Sequence, residues 1–157
     1  MKHAIITLLL IFSLIGCSSA TDGNEESKSF ETRQDAIEYG LELEDIEKDD
    51  ILDTMSLEDQ EIVLFQFSEQ EGEGITLAEL TKQDGEFQWK RSIQRVVLKS
   101  EDPSIGNLNV ETTFEMSSGK EYALYLGVAD EEGMTIETDI GEVTPTTTNG
   151  MYYYLQS

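Results

Sequence analysis

From Thr32 onward the apolar positions repeat with two different periods. Over residues 32–47 Ala36, Ile37, Gly40, Leu41 and Leu43 or Glu44 recur at three- and four-residue intervals, while Glu38, Glu42 and Asp45 fall mostly on the other side. That spacing predicts an amphipathic helix with one apolar stripe. Thr32 stands at a capping position with Asp35 three residues on, a variant of the capping box. Gly40 would let the helix approach a sheet closely.

After residue 50 the pattern becomes strand-like. Ile51–Ser56 is a short strand, and Glu61–Ser68 (EIVLFQFS) is rich in β-formers. Residues 69–74 (EQEGEG) make a charged turn, and Gly74–Lys82 (GITLAELTK) pairs back as a hairpin. Asp84-Gly85 is a tight-turn signal. Glu86–Lys99 then reads as one long strand, or two joined by a bulge, completing a three-stranded meander over 61–99. Asp102-Pro103 breaks the pattern before Asn107–Met116 resumes it. Glu121–Ala129 is a further strand, Met134–Ile140 a weaker one, 141–150 a loop, and Met151–Gln156 a closing strand. One helix followed by runs of strands predicts an α+β fold, with an N-terminal amphipathic helix packed on a mainly antiparallel β-sheet of about six to eight strands.

The first residues differ from everything after them. Met1-Lys2-His3 is a short basic start, and Ala4–Ile15 is apolar except for Thr7 and Ser13. About 12 residues is too short for a spanning helix, which needs roughly 20. The segment reads as a processed export signal, outside the fold. It ends in Leu14-Ile15-Gly16-Cys17, which resembles the lipobox of bacterial lipoproteins. The resemblance implies a diacylglyceryl thioether on Cys17 and cleavage before it, hence a membrane-anchored extracytoplasmic protein. Two acyl chains hold a protein on a bilayer without a transmembrane helix. Residues 1–16 are then the cleaved signal, 17–29 the lipidated cysteine and a polar tether (SSATDGNEESKS from Ser18), and 30–157 one acidic α+β domain.

Within that domain Phe87-Gln88-Trp89-Lys90, Tyr125-Leu126-Gly127-Val128 and Tyr152-Tyr153-Tyr154 loosely resemble small uncharacterised lipoproteins of Bacillus-type Gram-positive bacteria. That resemblance implies attachment to the outer face of the cytoplasmic membrane and transfers no catalytic residue.

Charge narrows the function classes. The chain carries 33 acidic and 10 basic residues, a formal net charge of −23. Such a balance argues against nucleic acid, which wants a basic footprint, and against electrostatic docking on anionic lipid. It fits either a surface for cations or a basic partner, or adaptation to salty surroundings. The one histidine, His3, lies in the signal, and Cys17 is the only thiol. Ser-His-Asp and Cys-His catalysis and the usual zinc, copper and haem sites are therefore not expected, nor any cofactor.

The basic residues concentrate at Lys90, Arg91, Arg95 and Lys99. On a continuous strand Trp89, Arg91, Ile93, Arg95, Val97 and Lys99 would share one face. Trp89, Arg91, Arg95 and Lys99 are thus the candidate partner-contact residues, able to grip a carboxylate, phosphate or anionic glycan. The competing reading is that these cations pair with the chain's own acids. Tyr152, Tyr153 and Tyr154 with Trp89 would stack on sugars, or else fill the core. Glu69, Glu71 and Glu73, and likewise Asp130-Glu131-Glu132-Gly133, offer carboxylates to calcium but lack the EF-hand order and read better as solvated turns.

Three functions follow. The first is a non-enzymatic binding or adaptor module contacting an envelope protein or wall component through an exposed sheet edge or the Trp89–Arg95 face. The second is a lipoprotein that binds a small anionic or sugar-like ligand. The third is a carboxylate hydrolase of the wall. A pocket lined by Trp89, Arg91 and tyrosines favours the second; two close acids in a concave pocket favour the third.

Overall fold

The computed structural model describes residues 28–58, 60–102, 104, 106–131 and 133–157. Cys17, the expected export signal and most of the expected tether lie outside them. In chain order the elements are β1 (Ser29–Phe30), α1 (Arg33–Glu44), β2 (Ile51–Leu57), β3 (Gln60–Glu69), β4 (Gly72–Gln83), β5 (Glu86–Arg91) and β6 (Val96–Ser100). They continue with β7 (Asn109–Glu115), β8 (Glu121–Val128), β9 (Ile136–Thr138), β10 (Gly141–Val143), β11 (Thr146–Thr148) and β12 (Met151–Gln156). The first sheet runs β1-β5-β4-β3-β2 with β6 also on β4, the second runs β11-β12-β8-β7, and β9-β10 is a separate hairpin.

The α+β expectation is corrected by this architecture. Among the described residues strands make up 58% and helix 12%, in three sheets, so the fold is mainly β with one short α-helix. The expected amphipathic stripe is weak as well: Ala36, Ile37, Gly40 and the acidic Glu44 are buried, while Leu43 is exposed. Thr32 does cap α1, its Oγ1 accepting from the Asp35 amide at 3.1 Å. The helix stops at Glu44 because Asp45 turns left-handed (φ 53°, ψ 49°). Its amide then donates to Glu42 O and that of Ile46 to Leu41 O, the two bonds of a Schellman motif. The polar stretch expected to loop over 141–150 instead holds β10, β11 and a two-residue turn at Asn149-Gly150, both at positive φ.

Packing explains the layers. Ile62, Leu64, Ile75 and Leu77 meet Phe114, Tyr122, Leu124, Leu126 and Tyr153 between the two large sheets. The alternate residues Val63, Phe65, Ala78, Leu80 and Trp89 face the other way and are covered by Ala36 and Ile37 of α1. β4 is therefore buried on both faces from Gly74 to Leu80. The segment expected as one strand over 86–99 is split. β5 pairs with residues 78–83 of β4 and β6 with residues 72–75, leaving 92–95 between them. Gly74 lets β6 close in, because a Cβ there would strike the Val96 carbonyl.

Candidate functional site

The split of β5 from β6 breaks the period-two face expected over 89–99. Trp89 enters the helix-side core, and Ile93 enters the core between the sheets. Arg91 and Arg95 converge instead on Glu44, the last residue of α1, whose side chain is 0% exposed. Arg91 holds both carboxylate oxygens of Glu44. Arg95 caps the Glu44 carbonyl, pairs with Glu69 and stacks on Phe67 at 5.1 Å. Lys99 lies further off, 3.4 Å from Glu73. Of the four expected contact residues, Trp89 and Arg91 line a common cleft, whereas Arg95 and Lys99 do not.

That cleft, about 1130 Å³, is lined by β5 and by neighbouring segments on both faces of the first sheet. On the helix side its wall includes Tyr39, Leu43, Lys82, Trp89 and Arg91. Between the sheets it includes Gln60, Thr81, Lys90, Thr112 and Ser117. Lys90 stands opposite Glu79, and Gln88 opposite Thr81, in the β4–β5 register. Glu79 is fully buried behind this wall. Its carboxylate accepts from the Ser117 amide and, at 2.7 Å, from the Ser117 hydroxyl. Glu79 thus fixes the β7–β8 turn that forms the far wall.

The charge of the cleft is opposite to that of the chain. Its lining holds Lys28, Lys82, Lys90 and Arg91 against one acid, Glu44, and Glu44 is already held by two arginines. Among the described residues Lys28, Lys82 and Lys90 make no ion pair; Lys28 lies 4.7 Å from the Tyr39 ring centroid and Lys82 lies 5.0 Å from that of Phe87. Three lining residues also carry a buried polar atom with no hydrogen-bond partner among the described residues: Gln60 Oε1, Trp89 Nε1 and Ser92 Oγ. Buried polar atoms are paired in the great majority of cases, because leaving one unpaired costs about 1–3 kcal/mol.

The other sequence candidates lie elsewhere. Tyr152 and Tyr153 are buried, and Tyr154 packs against Tyr125 at 6.2 Å; none joins Trp89. Glu69 and Glu73 are taken by Arg95 and Lys99. Among the described residues no group of three or more acidic, histidine or cysteine side chains is placed to hold a metal ion. Glu132 lies outside those residues.

Sequence reasoning missed Glu44 as an anchor and overlooked Gln60, Glu79 and Ser92. The signal for the two acids was available. Glu44 follows Ala36 and Gly40 at four-residue steps, and Glu79 follows Ile75 and Leu77 at two-residue steps.

Comparison of the chain with protein-family models, curated proteins and solved structures gives no match.

Proposed function

We propose that the protein is a lipid-anchored, extracytoplasmic binding protein of the cell envelope that takes up a small ligand in the β5 cleft, without catalysing a reaction. The observation that carries this reading is the cleft itself, lined by Trp89, Arg91 and Tyr39 with unpaired polar atoms in its wall. A wall hydrolase would need two close acids there, and the cleft wall carries only Glu44, already neutralised. Anchoring rests on Leu14-Ile15-Gly16-Cys17, and no helix among the described residues is long and apolar enough to cross a membrane.

The adaptor reading keeps one observation in its favour. The outer edge of β7 has no strand beside it among the described residues, and such edges accept a partner's strand. Against it, the exposed large apolar residues among the described ones, Leu43, Leu108 and Ile140, lie on three separate segments of the chain.

Two measurements test the proposal. Fractionation of cells producing the native chain or Cys17→Ala should move the protein from the membrane to the soluble fraction when the thiol is lost, with the diacylglyceryl mass on Cys17 of the native form. Crosslinking in the same cells should give no stoichiometric protein partner. A reproducible partner whose capture is abolished by charged substitutions along β7 would replace the ligand-binding reading with the adaptor one.

A further inference from the structure

We infer that the outer edge of β7 pairs with β7 of a second copy of this chain, antiparallel and centred on Thr112, joining two molecules into a two-fold dimer. The inference goes beyond the binding reading above and does not rest on it. The added strand belongs to the same chain, so a crosslinked species of this pairing contains no second protein.

The backbone gives the first argument. The Met116 amide donates to the Lys120 carbonyl at 2.9 Å, and β7 pairs with β8 without a register shift from Asn109 to Glu115. In an antiparallel pair, residues that bond across the ladder alternate with residues whose N–H and C=O point away. Counting back from Met116, Phe114, Thr112 and Val110 spend their backbone groups on β8, while Glu115, Thr113, Glu111 and Asn109 turn theirs outward. Among the described residues no backbone group takes them. Beyond Glu115 the edge is closed, because the next outward amide, that of Ser117, donates to Glu79. The other edges of the two large sheets are protected. β2 is bulged between Ile51 and Asp53, β1 covers part of β5, β6 is bridged at Lys99 to Asn107, and β11 has three residues. β7 runs for seven residues without a bulge, a proline or a lysine, the devices that keep an edge from pairing.

The side chains say which strand fits there. Val110 and Phe114 face the core, so Asn109, Glu111, Thr113 and Glu115 share the outer face. With Thr112 on the two-fold axis, Val110 meets Phe114 of the second copy, Glu111 meets Thr113, and Asn109 meets Glu115. This register matches outward residues with outward residues along the whole strand, making about eight backbone hydrogen bonds. It also sets no acid directly opposite an acid. A centre at Glu111 places that residue opposite itself, and a centre at Thr113 places Glu111 opposite Glu115. Like charges directly opposite destabilise a sheet, so the two glutamates block the slipped pairings and leave the centred one. The strand is thus complementary to itself, as a two-fold contact requires. What opposes the pairing is long-range repulsion between two chains of net charge −23 each, which salt screens.

The full chain in detergent micelles would be followed by sedimentation equilibrium in sodium chloride of about 0.05 M and about 1 M. A dimer should form at the higher salt, with a dissociation constant at least about tenfold below that at the lower salt. Thr113→Pro removes an outward amide and leaves the β7–β8 ladder bonded; it should still fold and should weaken the dimer at least about tenfold. Glu111→Gln should tighten the dimer at the lower salt. Thr112→Cys sits on the two-fold axis, where facing Cα atoms lie about 4.5 Å apart, and should give a disulfide-linked dimer on mild oxidation. A monomer at both salt concentrations, or a dimer that Thr113→Pro leaves intact, would overturn the pairing. A disulfide dimer from Thr113→Cys but not from Thr112→Cys would overturn the register. A different protein bound along β7, with the chain itself monomeric, would overturn the choice of a second copy.

Discussion

Gly40 of α1 lies directly against the indole of Trp89 on β5: a Cβ at Gly40 would overlap the six-membered ring. This contact sets the distance between the helix and the sheet. Alanine ordinarily favours a helix over glycine by about 1 kcal/mol, yet here the added methyl must displace a buried ring. Gly40→Ala should therefore destabilise the protein by a net ~1–3 kcal/mol, as overpacking does. Thermal melting followed by Trp89 fluorescence checks this; an unchanged or higher Tm would contradict the contact.

Glu44 is a fully buried carboxylate held by two arginines that are 39% and 21% exposed. Breaking a buried ion pair costs about 3–5 kcal/mol. The partial exposure of both arginines lowers that, because water takes over part of their solvation. Arg91→Gln, which leaves the buried carboxylate with Arg95 alone, should lose ~2 kcal/mol in urea unfolding, with Glu44→Gln losing less because the arginines it frees reach water. The order would be reversed if Arg91, rather than Glu44, were the costly group to leave unpaired.

Asp45 occupies the left-handed position that ends α1, where glycine is the favoured residue. It also places a negative charge at the negative end of the helix dipole. Asp45→Gly should stabilise the protein by ~1 kcal/mol, roughly 4 °C in Tm for a domain of this size. Asp45→Ala, which removes the charge but not the strain, should gain less than the glycine variant.

Alkaline pH should weaken the fold through Tyr153. Its hydroxyl donates to Asp53 Oδ2 at 2.7 Å. Burial first, then that bond and the Asp53 charge, push the phenol up to about 12. Tyr152 is raised in the same direction, by burial and then by Asp130. An unfolded chain loses these protons near pH of about 10, while the folded protein keeps them longer. Their stabilising effect is complete below that pH and is lost as pH rises from about 10 to about 12. Tyr153→Phe should melt with a shallower dependence on pH across this window. Parallel curves for the two proteins would exclude Tyr153 as the titrating group.

The parts of the fold read correctly from sequence were those with strong local chemistry. Thr32 announced the start of α1, Asp84-Gly85 the β4–β5 turn, and the apolar runs of β3, β4 and β8 their strands. The error in fold class came from two places. One was the short polar strands β10 and β11 within 141–150, whose sequences show no apolar alternation. The other was the division of the strands among three sheets, which depends on long-range pairing such as β12 with β8. The cleft was legible only in outline. Trp89 and Arg91 were singled out, but the interruption at 92–95 that sends Arg95 to Glu44 is set by β4, which pairs with two strands along one edge. Local periodicity carries no record of that.

The inverted charge of the cleft has a kinetic consequence. An anion approaching a protein of net charge −23 is repelled at long range and attracted only near Lys82 and Lys90. Salt screens the first effect more than the second, because the Debye length is about 10 Å at 0.1 M while contact pairs are closer. Raising ionic strength from very low values should therefore speed association, the reverse of ordinary electrostatic steering. On the binding reading proposed above, the acidic surface is a barrier that brine lowers, and the cleft would capture an anion fastest where the surroundings are salty.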